Sequence, residues 1–111
     1  MITPDQVRRI ALSFEGAIDD SKGDALSFSR PGRKGFAWIY LERIHPKKPR
    51  IPRPDVLAVR CPIERKEILL EAASDIYFDD DHYRGYPAVL VRLDVVPEDE
   101  LVALLKDAWR L

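Results

Sequence analysis

The sequence lacks the cysteines that form disulfides and the long apolar runs that span or enter membranes. It contains a single cysteine, Cys61, which excludes an internal disulfide. Its longest apolar run, AVLVRL, is interrupted by Arg92 and is far shorter than the roughly 20 residues that cross a bilayer. The start, MITPDQVRRI, lacks the apolar stretch of a secretory signal. We therefore expect a cytoplasmic protein without membrane association.

A strong net charge and a glycine-rich phosphate loop are also missing. The 18 basic and 19 acidic residues give a formal net charge of -1, so no global field attracts nucleic acid or an anionic membrane. None of the 5 glycines lies in a phosphate cradle, and no serine lies in a nucleophile elbow. We expect no enzymatic activity and no cofactor, and any affinity for nucleic acid must come from a local patch.

Three segments have the spacing of amphipathic helices. Thr3 and Gln6 form a capping box around Pro4, which predicts a first helix that stops near Gly16. The second and third helices are predicted to begin at Pro62 and Pro97, because proline suits the first turn of a helix. The second helix is predicted to end near Ser74.

The other apolar segments alternate with period two and predict strands. The turn sequence RPGRKG separates the first two strands and predicts a hairpin. The segment Glu42–Asp55 contains four prolines, which predicts a stiff extended loop that is neither a helix nor an inner strand. The predicted strands lie around Leu26 and Phe28 and at Phe36–Leu41, Val56–Cys61, Ile76–Phe78 and Ala88–Leu93.

The resulting element order is αβββαββα. Adjacent strands without a helix between them favour an antiparallel sheet with helices packed on it over a doubly wound parallel fold. A chain of 111 residues suits one domain, so we predict a single α+β domain over residues 1–111.

The stretch DDDHYRGYP combines carboxylates, an imidazole and phenols in front of a predicted strand. Consecutive residues of a turn rarely converge on one ion, so Asp79, Asp80, Asp81 and His82 are interpreted as a solvated turn and no metal site is predicted. Aromatic side chains in this stretch and in other segments offer faces on which bases stack, although a structural role is favoured for them. They are Trp38, Tyr40, Tyr83, Tyr86 and Trp109.

Basic residues concentrate in the first hairpin turn and in the proline-rich loop, with Glu42 the single acid among them. Acids cluster instead at residues 75–81 and 94–100. If the two basic loops meet on one side, they form a positive surface that can contact phosphates; if they do not, they are ordinary solvated loops. The candidate phosphate contacts are Arg30, Arg33, Lys34, Lys47, Lys48, Arg50 and Arg53.

Taken together, several segments resemble the MmcQ/YjbR family, described as double-wing DNA-binding domains. They are RRIALSFEGA, ALSFSRPGRKGFAWIYLER, CPIERKEILLEAASDIYF, HYRGYPAVLVRLDVV and LLKDAWRL, which cover almost the whole chain. The resemblance makes His82, Tyr83, Gly85 and Tyr86 a family signature. It implies a compact α+β domain in which strand pairs project as wings, with DNA binding proposed for the group.

Three functional hypotheses follow. The first is a monomeric domain that binds double-stranded DNA weakly through its basic loops, with little sequence specificity. The alternative is a protein-interaction module whose segment IHPKKPRIPRP docks in a partner's aromatic groove. The third, a ligand-binding or enzymatic pocket beside His82, Tyr83 and Tyr86, requires a cleft at that position.

Overall fold

A computed structural model describes residues 1–111 as three helices and a six-stranded sheet. The helices are α1 (Pro4–Leu12), α2 (Ile63–Ala72) and α3 (Glu98–Arg110). The strands are β1 (Ile18–Asp19), β2 (Ser27–Ser29), β3 (Ala37–Glu42), β4 (Ile51–Arg60), β5 (Tyr77–Phe78) and β6 (Ala88–Arg92). The predicted α+β class with one antiparallel sheet is confirmed.

The sheet has the strand order β1-β2-β3-β4-β6-β5, and every neighbouring pair is antiparallel. Alternate strand residues, such as Ile39, Leu57 and Val91, join apolar residues of all three helices in the main core. The helices therefore cover the same face of the sheet. None of them is long and apolar enough to cross a membrane.

The opposite face of the sheet carries a second, smaller apolar cluster. Val56, Ala58 and Leu90 are buried there although no helix covers them. Their cover is Tyr83, from the loop between β5 and β6, with partly buried aromatic residues around it. This explains why β3 carries apolar residues on both faces.

The first helix begins as predicted. The Thr3 hydroxyl accepts a hydrogen bond from the Gln6 amide, and the Gln6 side chain accepts one from the Thr3 amide, which completes the capping box. The helix ends at Leu12, before Gly16, and Gly16 adopts a φ of 71° in the turn that follows. The chain then forms β1, which the sequence prediction lacks because two residues are too few to show a period.

The prediction of a loop over Glu42–Asp55 is wrong in its second half. β4 begins at Ile51, and its residues 51–53 pair with β3. β6 pairs with β4 only from Val56 onward, so Pro52 and Pro54 lie in a stretch with no strand on its far side. Prolines are tolerated there because a missing N–H on that side interrupts no ladder.

Candidate nucleic-acid interface and the aromatic turn

The two basic loops lie at opposite ends of β3. The turn loop, residues 30–36, connects β2 to β3, and the wing loop, residues 43–50, connects β3 to β4. The six residues of β3 separate them by about 20 Å at the usual rise of a strand. The two loops therefore do not form one continuous surface.

The wing loop is at the tip of a projecting hairpin. Beyond Ile39, β3 pairs only with β4, and residues 51–53 of β4 pair only with β3. Arg43 stabilises the loop by donating hydrogen bonds to the carbonyls of Pro46 (2.9 Å) and Lys48 (3.2 Å). Arg50 donates to the carbonyl of Leu41 at 2.9 Å. The loop thus has a defined shape held by two of its own arginines.

Two lysines of the wing loop are exposed to solvent and have no ion-pair partner. Lys47 and Lys48 are exposed, and neither forms an ion pair. The segment from Arg43 to Arg50 contains no carboxylate. The tip of the hairpin is therefore a positive surface with two ammonium groups in solvent.

Arg53, at the base of the wing, is already paired. Its guanidinium binds Glu42 on the facing strand and donates to both Asp55 oxygens, at 3.0 and 2.9 Å. The hydrogen bonds from Arg53 lower the pKa of Asp55 below its usual value. Two carboxylates thus compensate the Arg53 charge, which leaves this residue less suited to a phosphate contact than the lysines.

The turn loop binds the end of α3. Arg30 donates to the carbonyl of Trp109 at 2.7 Å and places its guanidinium 4.5 Å from the centre of the Trp109 ring. Arg33 donates to the carbonyl of Leu111 at 2.6 Å, and Lys34 is exposed. Arginines near a helix C-terminus satisfy its free carbonyls and favour its dipole. The two arginines therefore have structural contacts that the sequence did not reveal.

The proline-rich segment is not a continuous polyproline helix. Pro46 and Pro49 lie in the wing loop, where the Lys48 amide donates to the His45 carbonyl at 3.0 Å and closes a turn. Pro52 and Pro54 belong to β4. Docking into an aromatic groove requires an extended, exposed polyproline segment, which this geometry does not provide.

Residues 79–87, the aromatic turn, attach to the uncovered face of the sheet through Tyr83. The Tyr83 ring lies 6.4 Å from Trp38 and 6.3 Å from Tyr40, centre to centre. The Trp38 indole N–H donates to the Tyr83 hydroxyl at 2.8 Å, and Arg60 donates to the Tyr86 hydroxyl at 3.3 Å. The two tyrosines of the family signature therefore brace the turn, as expected.

Gly85 and Asp80 shape the aromatic turn itself. Gly85 has a φ of 76°, a conformation that residues with a Cβ rarely adopt. The Asp80 carboxylate accepts from the Tyr83 amide at 2.8 Å and from the Tyr40 hydroxyl at 2.6 Å. The signature sequence thus encodes a turn conformation and its attachment to β3.

Lys66 is the principal contact that sequence reasoning missed. Its side chain is only 3% exposed, and its ammonium donates to the carbonyls of Tyr83 (2.6 Å) and Tyr86 (3.0 Å) and pairs with Asp79 (3.1 Å). Three acceptors match the three N–H groups of a lysine. Its position in the helix could have predicted its burial, because Lys66 lies one turn after Ile63 on the side of α2 that faces the core.

Three tyrosines around these contacts have raised pKa values. Burial, followed by the hydrogen bond to Asp80, raises the pKa of Tyr40 to about 12. Burial also raises the pKa of Tyr83, and burial together with the Glu100 carboxylate raises that of Tyr77. Their hydroxyls stay protonated near neutral pH and serve as structural hydrogen-bonding groups.

The carboxylates before His82 point to different partners. Asp79 pairs with Lys66, Asp80 binds the turn, and Asp81 pairs with Arg84 at 2.7 Å. The structure contains no group of three or more potential ligands arranged for a metal ion. None of the five cavities is lined by His82, Tyr83 or Tyr86. The cleft that a pocket beside these residues would need is not present.

The chain was compared with known proteins. The family model YjbR matches residues 12–111, which include the wing loop and the aromatic turn. The chain is 34% identical over 119 aligned residues to the uncharacterised proteins Mb2600 of Mycobacterium bovis and Rv2570 of Mycobacterium tuberculosis, covering 98% of this chain and 87% of each relative. No solved structure gives a significant match. The chain belongs to the YjbR family.

Proposed function

We propose that the protein binds the phosphate backbone of double-stranded DNA through its wing loop, weakly and with little dependence on sequence. One observation carries this proposal: the projecting β3–β4 hairpin ends in eight residues with four cationic side chains and no carboxylate. Such a local patch attracts phosphates even when the net charge is -1. The wing is also the kind of element that the family resemblance implies.

The four cationic side chains of the wing loop differ in how many donors they have available for phosphate. Lys47 and Lys48 are exposed and unpaired, so they are the principal phosphate ligands. Arg43 and Arg50 each use part of their guanidinium within the hairpin and retain donors for a second partner. Long exposed cations suit phosphate contacts better than fixed contacts to base edges, which is why we expect little sequence preference.

The test is fluorescence anisotropy of a labelled mixed-sequence duplex, titrated with the full chain over a salt series. Four phosphate contacts predict that log affinity falls with log salt at a slope of about -3.6. In Lys47→Glu/Lys48→Glu, two contacts remain, so affinity falls several-fold and the slope weakens to about -1.8. A second duplex of unrelated sequence should bind equally well.

The matched control is Lys22→Glu/Lys106→Glu, which changes the net charge equally at two exposed lysines outside the wing loop. We expect this control to change binding much less than the wing variant. No binding at low salt, or equal losses in the two variants, would contradict the proposal.

A further inference from the structure

A cavity of about 270 Å³ lies at the other end of β3, between the turn loop and the end of α3. Half of its lining is cationic and half is apolar. The cations come from the turn loop and from the last residue of β4, and the apolar groups come from the end of the turn loop, from α3 and from the residue that follows α3. The lining residues are Arg30, Arg33, Lys34, Arg60, Phe36, Ala108, Trp109 and Leu111.

No carboxylate side chain neutralises the charges in this cavity, although the Leu111 backbone oxygen accepts a hydrogen bond from Arg33. None of its four cationic side chains forms an ion pair, and no acidic side chain lines it. By contrast, Arg65 in the adjoining cavity pairs with Asp107 at 2.8 Å. Cations that line one cavity repel one another, and an anion with hydrogen-bond acceptors reduces that repulsion.

The guanidinium groups are held in place by backbone oxygens and aromatic rings. Arg30 and Arg33 each donate to a carbonyl at the end of α3. Arg60 donates to the Gly35 carbonyl at 2.7 Å and to the Tyr86 hydroxyl at 3.3 Å, and it lies over the Trp38 ring, so it borders the cavity from the side of the aromatic turn. A guanidinium has five N–H donors, so each arginine retains several for a ligand. Side chains fixed in this way lose little freedom when an anion binds.

We propose that this cavity binds a phosphate monoester carrying a small organic group. The phosphate would contact Arg30, Arg33 and Lys34 of the turn loop, because a dianion matches several neighbouring cations better than a single carboxylate does. The organic group would lie against Trp109 and Leu111. This site is about 20 Å from the wing loop along β3, so it does not depend on the DNA-binding proposal.

The test is a two-dimensional amide NMR titration of the full chain with inorganic phosphate and, separately, with adenosine monophosphate. We expect saturable shifts confined to residues around the cavity, with the nucleotide binding more tightly than phosphate. In Arg33→Gln/Lys34→Gln, affinity for both probes should fall about tenfold or more, because charge-assisted hydrogen bonds are lost.

The matched control is Lys22→Gln/Lys106→Gln, which removes the same charge at two exposed lysines outside the cavity and the wing loop and should leave both affinities unchanged. Equal losses in the two variants, or shifts spread over the surface without saturation, would overturn the proposal. A nucleotide that binds no more tightly than phosphate would overturn the assignment of the organic group.

A further titration separates the two possible sources of the monoester. If the site binds nucleic-acid ends, a 5′-phosphorylated single strand binds more tightly than its unphosphorylated copy, and Arg33→Gln/Lys34→Gln removes the difference. If it binds a free small molecule, the two strands bind alike while the nucleotide still binds. Failure of duplex binding at the wing leaves both results intact.

Discussion

At the scale of single residues, Lys66 connects elements that are distant in sequence. It extends from α2 to two carbonyls and one carboxylate of the aromatic turn, and it is the only charged side chain among the buried residues. A buried cation is tolerated when every donor has an acceptor, and removing it leaves those acceptors unsatisfied.

We therefore expect Lys66→Met to lower the free energy of unfolding by about 3 kcal/mol, measured by urea unfolding at neutral pH. Lys106→Met, the same change at an exposed position of α3, should stay within about 0.5 kcal/mol of the unchanged protein. Similar losses in the two variants would show that the Lys66 contacts contribute little.

At the scale of elements, the aromatic turn acts as the cover of the second core cluster. Tyr83 is the residue of this turn that packs on the uncovered face of the sheet, whereas Tyr86 is 39% exposed. Tyr86 should therefore contribute much less to packing than Tyr83, although the hydroxyls of both residues accept hydrogen bonds from side chains of the sheet.

Replacement of Tyr83 by alanine should lower the free energy of unfolding by about 3 kcal/mol or more, since a large buried aromatic side chain is removed. The change also uncovers Trp38, so its fluorescence should shift to longer wavelength. Tyr86→Ala is the comparison, with an expected loss of about 1 kcal/mol. A larger effect at Tyr86 than at Tyr83 would contradict this account of the turn.

At the scale of the whole molecule, near-neutral net charge hides an uneven distribution. The wing loop and the turn loop are positive at opposite ends of β3, while the base of the wing pairs Arg53 with two carboxylates. The same structure contains three buried or partly buried phenols whose pKa values lie above the usual value of 10. The charge distribution determines where anionic ligands are attracted. The raised tyrosine pKa values determine how the stability of the fold responds to pH.

The raised tyrosine pKa values predict a loss of stability in alkaline solution. Phenols of the unfolded chain ionise near pH 10, whereas in the folded chain Tyr40 keeps its proton to about pH 12. Unfolding in this range releases protons, so the stabilisation is complete below pH 10 and declines as the pH rises toward 12. Urea unfolding followed by circular dichroism measures it, and Tyr40→Phe should show a shallower decline. A flat profile would contradict the prediction.

Much of the fold was predictable because it depends on local patterns. Helix spacing, the capping box at Thr3 and the period-two segments identified all three helices and five of the six strands. The errors have physical causes: β1 is too short to show a period, and prolines in β4 concealed a strand that they do not interrupt. The family signature could also be identified from the sequence, because the conformation of the turn at Gly85 depends on neighbouring residues of the same segment.

The candidate sites were less predictable because their contacts join segments far apart in the chain. By itself the sequence determined which residues are basic, which segments form strands and where the signature lies. Only the tertiary structure decided that β3 separates the two basic loops, that Arg53 meets Glu42 across the hairpin, and that Lys66 is buried against the aromatic turn. Strand register and packing set those distances, and neither is a property of a local segment.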